Sequence, residues 1–174
     1  MRSYLGWARF SPFAQDTWAD SCSVSITITE STGALTGTGV HVLPTQPDGF
    51  AGRVRVIDFS AVSEARGQLV EIDYLSLPFQ PRRMFLIRDV PVGTVRGGHA
   101  HRLCEQLLLC LRGGIMVEVA TKSHRARVSL NRPTMALYLT AGVWAQQTYE
   151  ELDSELLVLA SLPYDPASYI PEPA

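Results

Sequence analysis

The chain has 174 residues, 46% of them hydrophobic, and this length supports one main domain with a core rather than two. Fifteen basic and seventeen acidic residues give a formal net charge of -2, so charge gives no reason to expect nucleic acid or an anionic membrane as a partner. The three cysteines lack the paired spacing of a metal site. Residues 1–20 lack the apolar run of a signal peptide, and no segment has the length of an apolar membrane span. We therefore expect a cytoplasmic protein.

The first segment with a clear pattern is "SVSITIT", in which apolar side chains alternate with hydroxyl side chains. This period of two predicts a β-strand. The segments "TGALTGTG" and "VHVLP" follow, so this part of the chain can form a hairpin or a loosely attached extension. Proline, aspartate and glycine then interrupt the pattern at residues 44–49. We therefore divide the chain into an N-terminal extension over residues 1–50 and a main domain over residues 51–174.

The main domain consists of short apolar runs separated by turn residues. In chain order the predicted strands are "VRVIDF", "GQLVEIDYL", "RRMFLIRDV", "LLLCLRGGIMVEVA", "ARVSL", "MALYLT" and "SELLVLASL". The fourth run reads as two strands joined through Gly113 and Gly114, because glycine adopts positive φ at low cost. No helical repeat of apolar residues is sustained beyond about three turns. Short strands at this spacing predict an all-β antiparallel sandwich or barrel.

The segment "GTVRGGHAHRLCEQ", residues 93–106, holds two of the four histidines. His99 and His101 are two positions apart, so in a strand both imidazoles lie on one face and Ala100 lies on the other. Neutral imidazoles on one face can bind a metal ion. Alternatively, one imidazole can take a proton while the other relays it or orients the reacting group.

The spacing around the histidine pair matches half of a metal-binding pattern. Gly93, the pair and Glu105 reproduce the first half of the metal-binding cupin pattern, but Ala145 lies where its second half requires a further histidine. His41 belongs to the N-terminal extension and His124 to a charged turn, so neither is well placed as a ligand. We therefore expect no metal, and keep a three-ligand catalytic site as an alternative.

Arginine and glycine residues near the histidine pair indicate the mouth of a cavity. Arg96 precedes Gly97 and Gly98, and such a concentration of polar groups is unusual inside an apolar β-domain. Upstream, Arg83 shares a strand face with Phe85 in "RRMFLI". Arg83 is either a solvated edge residue or a clamp for a phosphate or carboxylate group.

Three further polar or aromatic residues have both structural and functional interpretations. Gln106 lies beside "LLLCL", where a buried amide needs hydrogen-bond partners. Tyr138 can direct its hydroxyl to water from an apolar strand, and a tryptophan such as Trp144 is more often a packing residue than a site residue. The sequence pattern alone leaves these alternatives open.

Six motifs occur in order between Val54 and Ile170: "RGQLVEI", "LPFQPRRMFLI", "RDVPVGTVRGGHAH", "EQLLLCLRGG", "LYLTAGVW" and "LLVLASLPYDPASYI". This series closely resembles the sugar-nucleotide 3,4-ketoisomerases, the WxcM-like branch of the cupins. The resemblance implies a cupin-type double-stranded β-helix, or jelly roll, that forms a homodimer with strands shared between subunits. It also implies an isomerase of deoxy-aminosugar biosynthesis. Such an enzyme moves the keto group of a dTDP-linked 4-keto-6-deoxy sugar from C4 to C3 through an enediol, without metal or redox cofactor.

The resemblance also implies roles for individual residues. His99 and His101 are the catalytic pair, with His101 as the base at C3 and His99 as its relay. Arg83 and Arg96 bind the diphosphate or polarise sugar oxygens, and Gln106 orients an imidazole or a substrate hydroxyl. The full set of expected substrate-binding residues is Arg83, Arg96, Gln106, Phe85, Tyr138 and Trp144.

The sequence departs from the family at two places. Relatives commonly carry tyrosine where this chain has Phe85 and Leu86, and histidine where it has Ala145. The loss of two polar groups can slow the reaction, change the accepted sugar or mark a descendant that only binds. Two other functions therefore stay open: a 3,5-epimerase of the same fold, which exchanges protons at C3 and C5, and a noncatalytic module that binds a nucleotide sugar.

Overall fold

The computed structural model describes residues 26–30, 47 and 49–173. The described strands, in chain order, are β1 (Ile26–Glu30), β2 (Val54–Asp58), β3 (Ala61–Glu64), β4 (Gly67–Val70), β5 (Arg83–Ile87), β6 (Val95–His101), β7 (Gln106–Arg112), β8 (Ile115–Ala120), β9 (His124–Leu130), β10 (Met135–Leu139), β11 (Trp144–Tyr149), β12 (Glu155–Ala160) and β13 (Tyr169–Ile170). Two short 3-10 helices, Tyr74–Ser76 and Pro166–Ser168, are the only helices of this part of the chain. None of the described helices is long and apolar enough to cross a membrane.

Eleven of the strands form two antiparallel sheets. The six-stranded sheet has the order β1-β9-β8-β11-β6-β13, and the five-stranded sheet has the order β2-β10-β7-β12-β5. Side chains from both sheets, among them Leu108, Val117, Leu137 and Tyr149, form one buried cluster, so the core lies between the sheets. This arrangement confirms the predicted all-β jelly roll.

A second apolar cluster covers the outer face of the five-stranded sheet. Successive side chains of β7 alternate between the two clusters, with Leu108 in the core and Leu107 and Leu109 on the outer face. Phe79, from the connection between β4 and β5, packs over these outer leucines. Because both faces of β7 are covered, its sequence is continuously apolar rather than alternating.

The glycine pair between β7 and β8 carries the chain from one sheet to the other. The two predicted strands are present, but β7 pairs with β10 and β12, whereas β8 pairs with β9 and β11. Gly113 has a φ of 75°, and a Cβ at this position would lie 2.9 Å from the Cα of Ser154. The residue is therefore required both for the left-handed conformation and for the close approach of the neighbouring turn.

The predicted strand of the N-terminal extension is present as β1, which pairs with β9 in antiparallel register from Ile26 opposite Val128 to Glu30 opposite His124. The segment "VHVLP", which would complete a hairpin in the extension, lies outside the described residues. The division of the chain near residue 50 therefore stays a prediction.

Strands β3 and β4 form a separate two-stranded hairpin, in which Val62 lies opposite Leu69. Both apolar side chains are more than half exposed. Strand β5 forms one edge of the five-stranded sheet and exposes Met84 and Leu86 on its outer face. Exposed apolar side chains on a hairpin and on an edge strand are typical of a surface that another chain covers.

Candidate active site

Strand β6 carries the histidine pair and joins β11 through a β-bulge. The ladder pairs Arg96 with Gln147 and His99 with Ala145, so Gly98 is the extra residue of the bulge. In a regular strand, residues three positions apart point to opposite faces, but here Arg96 and His99 line the same cavity. The bulge therefore adds an arginine to the face that the two histidines share.

The residue at position 97 must be glycine for this arrangement to form. Gly97 has a φ of 78°, and a Cβ there would lie 2.6 Å from Oε1 of Gln147 and 2.9 Å from the carbonyl oxygen of Ala145. Even the smallest side chain would push Gln147 out of its place against the strand. The Gly97-Gly98 pair therefore fixes the shape of the cavity wall.

A cavity of about 200 Å³ opens between the two sheets at this point. Its polar lining consists of Arg83, Arg96, His99, His101, Cys104, Gln106, Thr140, Gln147 and Tyr169. Its apolar lining includes Phe85, Ile87, Leu108, Leu139, Val143, Ala145, Leu156 and Val158. This volume is below the roughly 300–1,000 Å³ that encloses a complete ligand. We therefore expect it to enclose only part of a larger molecule, the remainder of which lies at the mouth.

His101 lies in the wall of this cavity, and only 8% of the residue is exposed. Burial, followed by the like charges of His99 and Arg83, lowers the pKa of His101 from 6.5 to about 4. The imidazole is therefore neutral at pH 7 and can accept a proton. The amide nitrogen of Gln106 lies 3.0 Å from Nε2 of His101 and holds the ring in place.

His99 is fixed by its own strand. Its Nδ1 lies 3.1 Å from the carbonyl oxygen of Gly97, and because a carbonyl oxygen can only accept, Nδ1 carries the proton. In neutral His99, Nε2 is then the acceptor. The ring centroids of His99 and His101 are 5.0 Å apart with an interplanar angle of 80°. The two imidazoles therefore lie side by side on one face, as their spacing predicts.

Arg83 is a cation that lies between aromatic rings. Its guanidinium carbon lies 4.9 Å from the ring centroid of Phe85 and 5.4 Å from that of Tyr164. The Nε of Arg83 is buried without a hydrogen-bond partner, and within the described residues no carboxylate pairs with the guanidinium. Arg83 also borders a second cavity, next to Leu162 and Tyr164, which shares Arg83, His101 and Cys104 with the first. The first is called the inner cavity and the second the outer cavity. An unpaired arginine at this junction is suited to bind an anionic group.

The structure brings six of the eight residues expected from the sequence to one cavity: His99, His101, Arg83, Arg96, Gln106 and Phe85. Tyr138 and Trp144 do not line it. Tyr138 belongs to the outer cluster because β10 turns it away from the core, and the indole N–H of Trp144 donates to the carbonyl oxygen of Pro171 at 3.0 Å. Both of these residues therefore have packing roles in this structure.

Several cavity residues were not expected from the sequence. Tyr169 stacks on His99, Gln147 lies behind the bulge, and Cys104 borders both cavities. Gln147 and Tyr169 reach the cavity through long-range strand pairing, for which the local sequence carries no signal, whereas Cys104 follows His101 by three residues. The two positions where the chain departs from the family, Phe85 and Ala145, also lie in the cavity wall.

The glutamate of the half metal pattern is directed elsewhere. The carboxylate of Glu105 accepts a hydrogen bond from the hydroxyl of Tyr138 at 2.6 Å, and Glu105 borders a cleft on the outer side, next to Phe79. Among the residues that the structure describes, no three His, Cys, Asp or Glu side chains are grouped closely enough to hold a metal ion. The residues that line the cavity are those of acid–base chemistry: a neutral buried imidazole, a second imidazole beside it and two arginines.

Comparison with protein families gives one match that covers most of the chain. The family described as "FdtA: WxcM-like, C-terminal" matches residues 52–174. A TDP-4-oxo-6-deoxy-alpha-D-glucose-3,4-oxoisomerase of Aneurinibacillus thermoaerophilus is 34% identical over 117 residues, which are 67% of this chain and 84% of that protein.

Solved structures give the same result. The sugar 3,4-ketoisomerase QdtA of Thermoanaerobacterium thermosaccharolyticum, in complex with TDP, is 30% identical, with a TM-score of 0.67 over 70% of this chain and 90% of that chain. A histidine-to-asparagine variant of the same enzyme, in complex with TDP-4-keto-6-deoxyglucose, has a TM-score of 0.67 at 30% identity over 70% of this chain and 88% of that chain.

The lowered pKa of His101 leads to a direct prediction. In a titration followed by NMR, the ring resonances of His101 stay constant from pH 8 downward and change with a midpoint of about 4. The His99→Asn variant removes a like charge, so the midpoint of His101 rises in that variant. A midpoint near the unperturbed value of about 6.5 would show that water reaches the ring, contrary to this structure.

Proposed function

The chain belongs to the FdtA family of WxcM-like C-terminal domains, and from this premise we propose that it is a dTDP-4-keto-6-deoxyhexose 3,4-ketoisomerase. It moves the keto group from C4 to C3 of the sugar, in the synthesis of deoxy-aminosugars. The observation that carries this proposal is the pair of imidazoles on one face of β6, in a cavity large enough for a sugar ring.

The reaction requires a base that is neutral at pH 7. His101 takes the proton from C3, the C–H electrons form a C3–C4 double bond, and the ketone oxygen at C4 becomes the oxygen of an enediolate. Because the pKa of His101 is lowered to about 4, the imidazolium that results is more acidic than an ordinary imidazolium and returns a proton readily. The imidazolium returns a proton to C4, and the proton of the C3 hydroxyl passes to the C4 oxygen, so C4 carries the new hydroxyl, C3 carries the new ketone and no net oxidation occurs.

His99 acts as the relay of this proton. Its Nδ1–H is held by the Gly97 carbonyl, so Nε2 of the neutral ring can exchange a proton with its surroundings. The contact between the two rings, at 5.0 Å between centroids, keeps the relay next to the base. The amide of Gln106 contacts Nε2 of His101 and orients the ring before the transfer. When Nε2 takes the proton, the amide turns so that its oxygen accepts the Nε2–H.

Arg83 and Arg96 bind different parts of the substrate. Arg83 borders both the inner and the outer cavity, so its guanidinium lies where the diphosphate joins the sugar. Arg96 faces the same cavity from the bulge of β6 and polarises a sugar oxygen as charge develops on the enediolate. Phe85 forms part of the apolar wall beneath Arg83. The inner cavity is too small for the whole nucleotide sugar, so the thymidine lies outside it.

The active form of the protein is a homodimer. The β3–β4 hairpin has no other strand beside it among the described residues, and isolated two-stranded hairpins are only marginally stable. Its exposed Val62 and Leu69, and the exposed Met84 and Leu86 on the edge strand β5, are apolar side chains that a second subunit covers.

The location of the protein is the cytoplasm, where thiols stay reduced. Cys104 and Cys110 are free and buried, and burial raises the pKa of Cys110 to about 11, which keeps the thiol protonated and unreactive. Neither nucleic acid nor a membrane is a partner in this proposal.

The catalytic proposal is tested by an NMR time course with dTDP-4-keto-6-deoxyglucose in heavy water. Wild type produces the 3-keto sugar with deuterium at C4, and His101→Asn lowers kcat by about 10²- to 10⁴-fold because the base is lost. His124→Asn, on β9 outside the cavity, is the matched control and keeps wild-type activity. Deuterium at C5 would instead indicate a 3,5-epimerase, and tight dTDP binding without any conversion would indicate a binding module.

The role of Arg83 is tested by calorimetry with dTDP. Arg83→Gln removes the unpaired cation and weakens dTDP binding by about 10- to 100-fold, because charge-assisted hydrogen bonds are lost. Arg125→Gln is the control, since Arg125 pairs with Glu118 away from the cavity. Equal affinities of wild type and Arg83→Gln would contradict the assignment.

The homodimer is tested by light scattering after gel filtration. Wild type elutes with the mass of two chains, whereas the double variant Val62→Asp and Leu69→Asp elutes as one chain, because two charges enter the apolar surface. Leu152→Asp is the control, because it places a charge at an exposed leucine in the turn before β12 and leaves the dimer intact. A monomeric wild type at tens of micromolar would refute this part of the proposal.

A further inference from the structure

The chain after β12 crosses the mouth of the cavity, and residues 163–171 are here called the C-terminal strap. Its 3-10 helix, Pro166–Ser168, is capped by Asp165, whose carboxylate accepts from the backbone N–H of Ala167 at 2.9 Å. The backbone N–H of Arg102 donates to the carbonyl oxygen of Ser168 at 2.9 Å, on one side of Tyr169. On the other side, Pro171 accepts the hydrogen bond from the Trp144 indole. Hydrogen bonds therefore hold the strap on both sides of Tyr169.

The pairing of β13 with β6 determines where this tyrosine points. Tyr169 lies opposite His101 and Ile170 lies opposite Ala100. Directly opposed residues of an antiparallel pair have their side chains on the same face. Tyr169 therefore shares the cavity face of His101, whereas Ile170 shares the other face with Ala100.

The Tyr169 ring contacts both imidazoles. It stacks on His99 with a centroid distance of 4.0 Å and an interplanar angle of 15°, and it meets His101 edge-on at 4.9 Å and 84°. His99 and His101 meet each other edge-on at 5.0 Å. These three rings form a closed cluster, in which each ring restricts the rotation of the other two.

The cluster has a clear consequence for proton transfer. His99 is held by one hydrogen bond at Nδ1, and a single bond leaves the ring free to tilt; the face-on contact with Tyr169 removes that freedom. The edge-on contact covers part of the His101 ring and keeps water from it. A relay needs both rings at fixed distance and angle, and small errors of placement are costly in catalysis.

We propose that Tyr169 is a positioning residue of the isomerase, whose ring clamps His99 face-on and covers His101 edge-on so that the two imidazoles keep the geometry of the proton relay. This role rests on the proposed ketoisomerase function. It belongs to the ring rather than to the hydroxyl, because both histidine contacts are made by the ring. In addition, burial and then the neighbouring Tyr164 raise the pKa of Tyr169, so the phenol stays protonated and takes no proton itself.

Two substitutions separate the ring from the hydroxyl. Tyr169→Phe keeps the ring and retains kcat within about 3-fold, whereas Tyr169→Leu removes it and lowers kcat by about 10- to 100-fold with KM changed less than about 3-fold. Tyr74→Leu is the matched control, because Tyr74 lies in the other 3-10 helix and outside the cavity. Equal kcat values for wild type and Tyr169→Leu overturn the proposal.

The pH profile gives a readout that a merely structural role would not change. The Gln106 amide contacts Nε2 of His101. The charged and titratable groups that line the two cavities with His101 are Arg83, Arg96, His99, Cys104, Tyr164, Asp165 and Tyr169. Burial is the main cause of the lowered pKa of His101, so admitting water in Tyr169→Leu raises this pKa toward the unperturbed value of about 6.5. The acid limb of the pH profile of kcat/KM therefore moves to higher pH in Tyr169→Leu, because His101 must be neutral to act as the base. The same limb stays in place in Tyr169→Phe. An unmoved acid limb in Tyr169→Leu counts against the proposal.

A measurement on wild type keeps the proposal testable if Tyr169→Leu does not fold. Nuclear Overhauser contacts between the ring protons of Tyr169 and His99 are expected from their 4.0 Å separation, and their absence overturns the proposal. A wild type that does not convert the keto sugar refutes the ketoisomerase function instead, and the ring contact is still read independently.

Discussion

The burial of the His101 ring away from water is the constraint on which the chemistry of this site depends. The ring lies at the end of β6, in the wall of the cavity between the two sheets. Gln106, at the start of β7, contacts its Nε2, and the Tyr169 ring meets it edge-on. Burial is the main cause of the lowered pKa of His101 and keeps the ring neutral near pH 7. A neutral imidazole next to two arginines can take a proton from carbon and leave the resulting negative charge on an oxygen that the arginines stabilise.

The jelly roll supplies this environment through backbone geometry rather than through special side chains. The bulge at Gly98 turns Arg96 into the same cavity as His99, and Gly97 allows Gln147 to approach the strand. A regular β6 would place the arginine on the opposite face. The C-terminal strap then adds Tyr169 to the cavity by pairing with the last residues of the same strand, so one strand and its two neighbours hold most of the polar groups of the site.

Much of this organisation could be predicted from local sequence, and the remainder could not for identifiable reasons. The period of two places His99 and His101 together and puts Arg83 beside Phe85, and both expectations agree with the structure. Tyr138 was expected at the site, but in the β10 run "MALYL" every side chain is buried, so the pattern does not show which face meets the cavity. Tyr169 was not expected, because it reaches the histidines only through a strand pairing 68 residues distant in sequence.

In the proposed complex a ketosugar lies against the His101 ring with its diphosphate at Arg83. The decisive measurement is a crystal structure with dTDP-glucose, which has a hydroxyl group in place of the C4 ketone and therefore does not isomerise. We expect the sugar ring in the inner cavity, with C3 within about 3.5 Å of a ring nitrogen of His101 and the phosphates against Arg83. A sugar ring bound outside the cavity, or histidine rings turned away from it, would refute the proposed reaction.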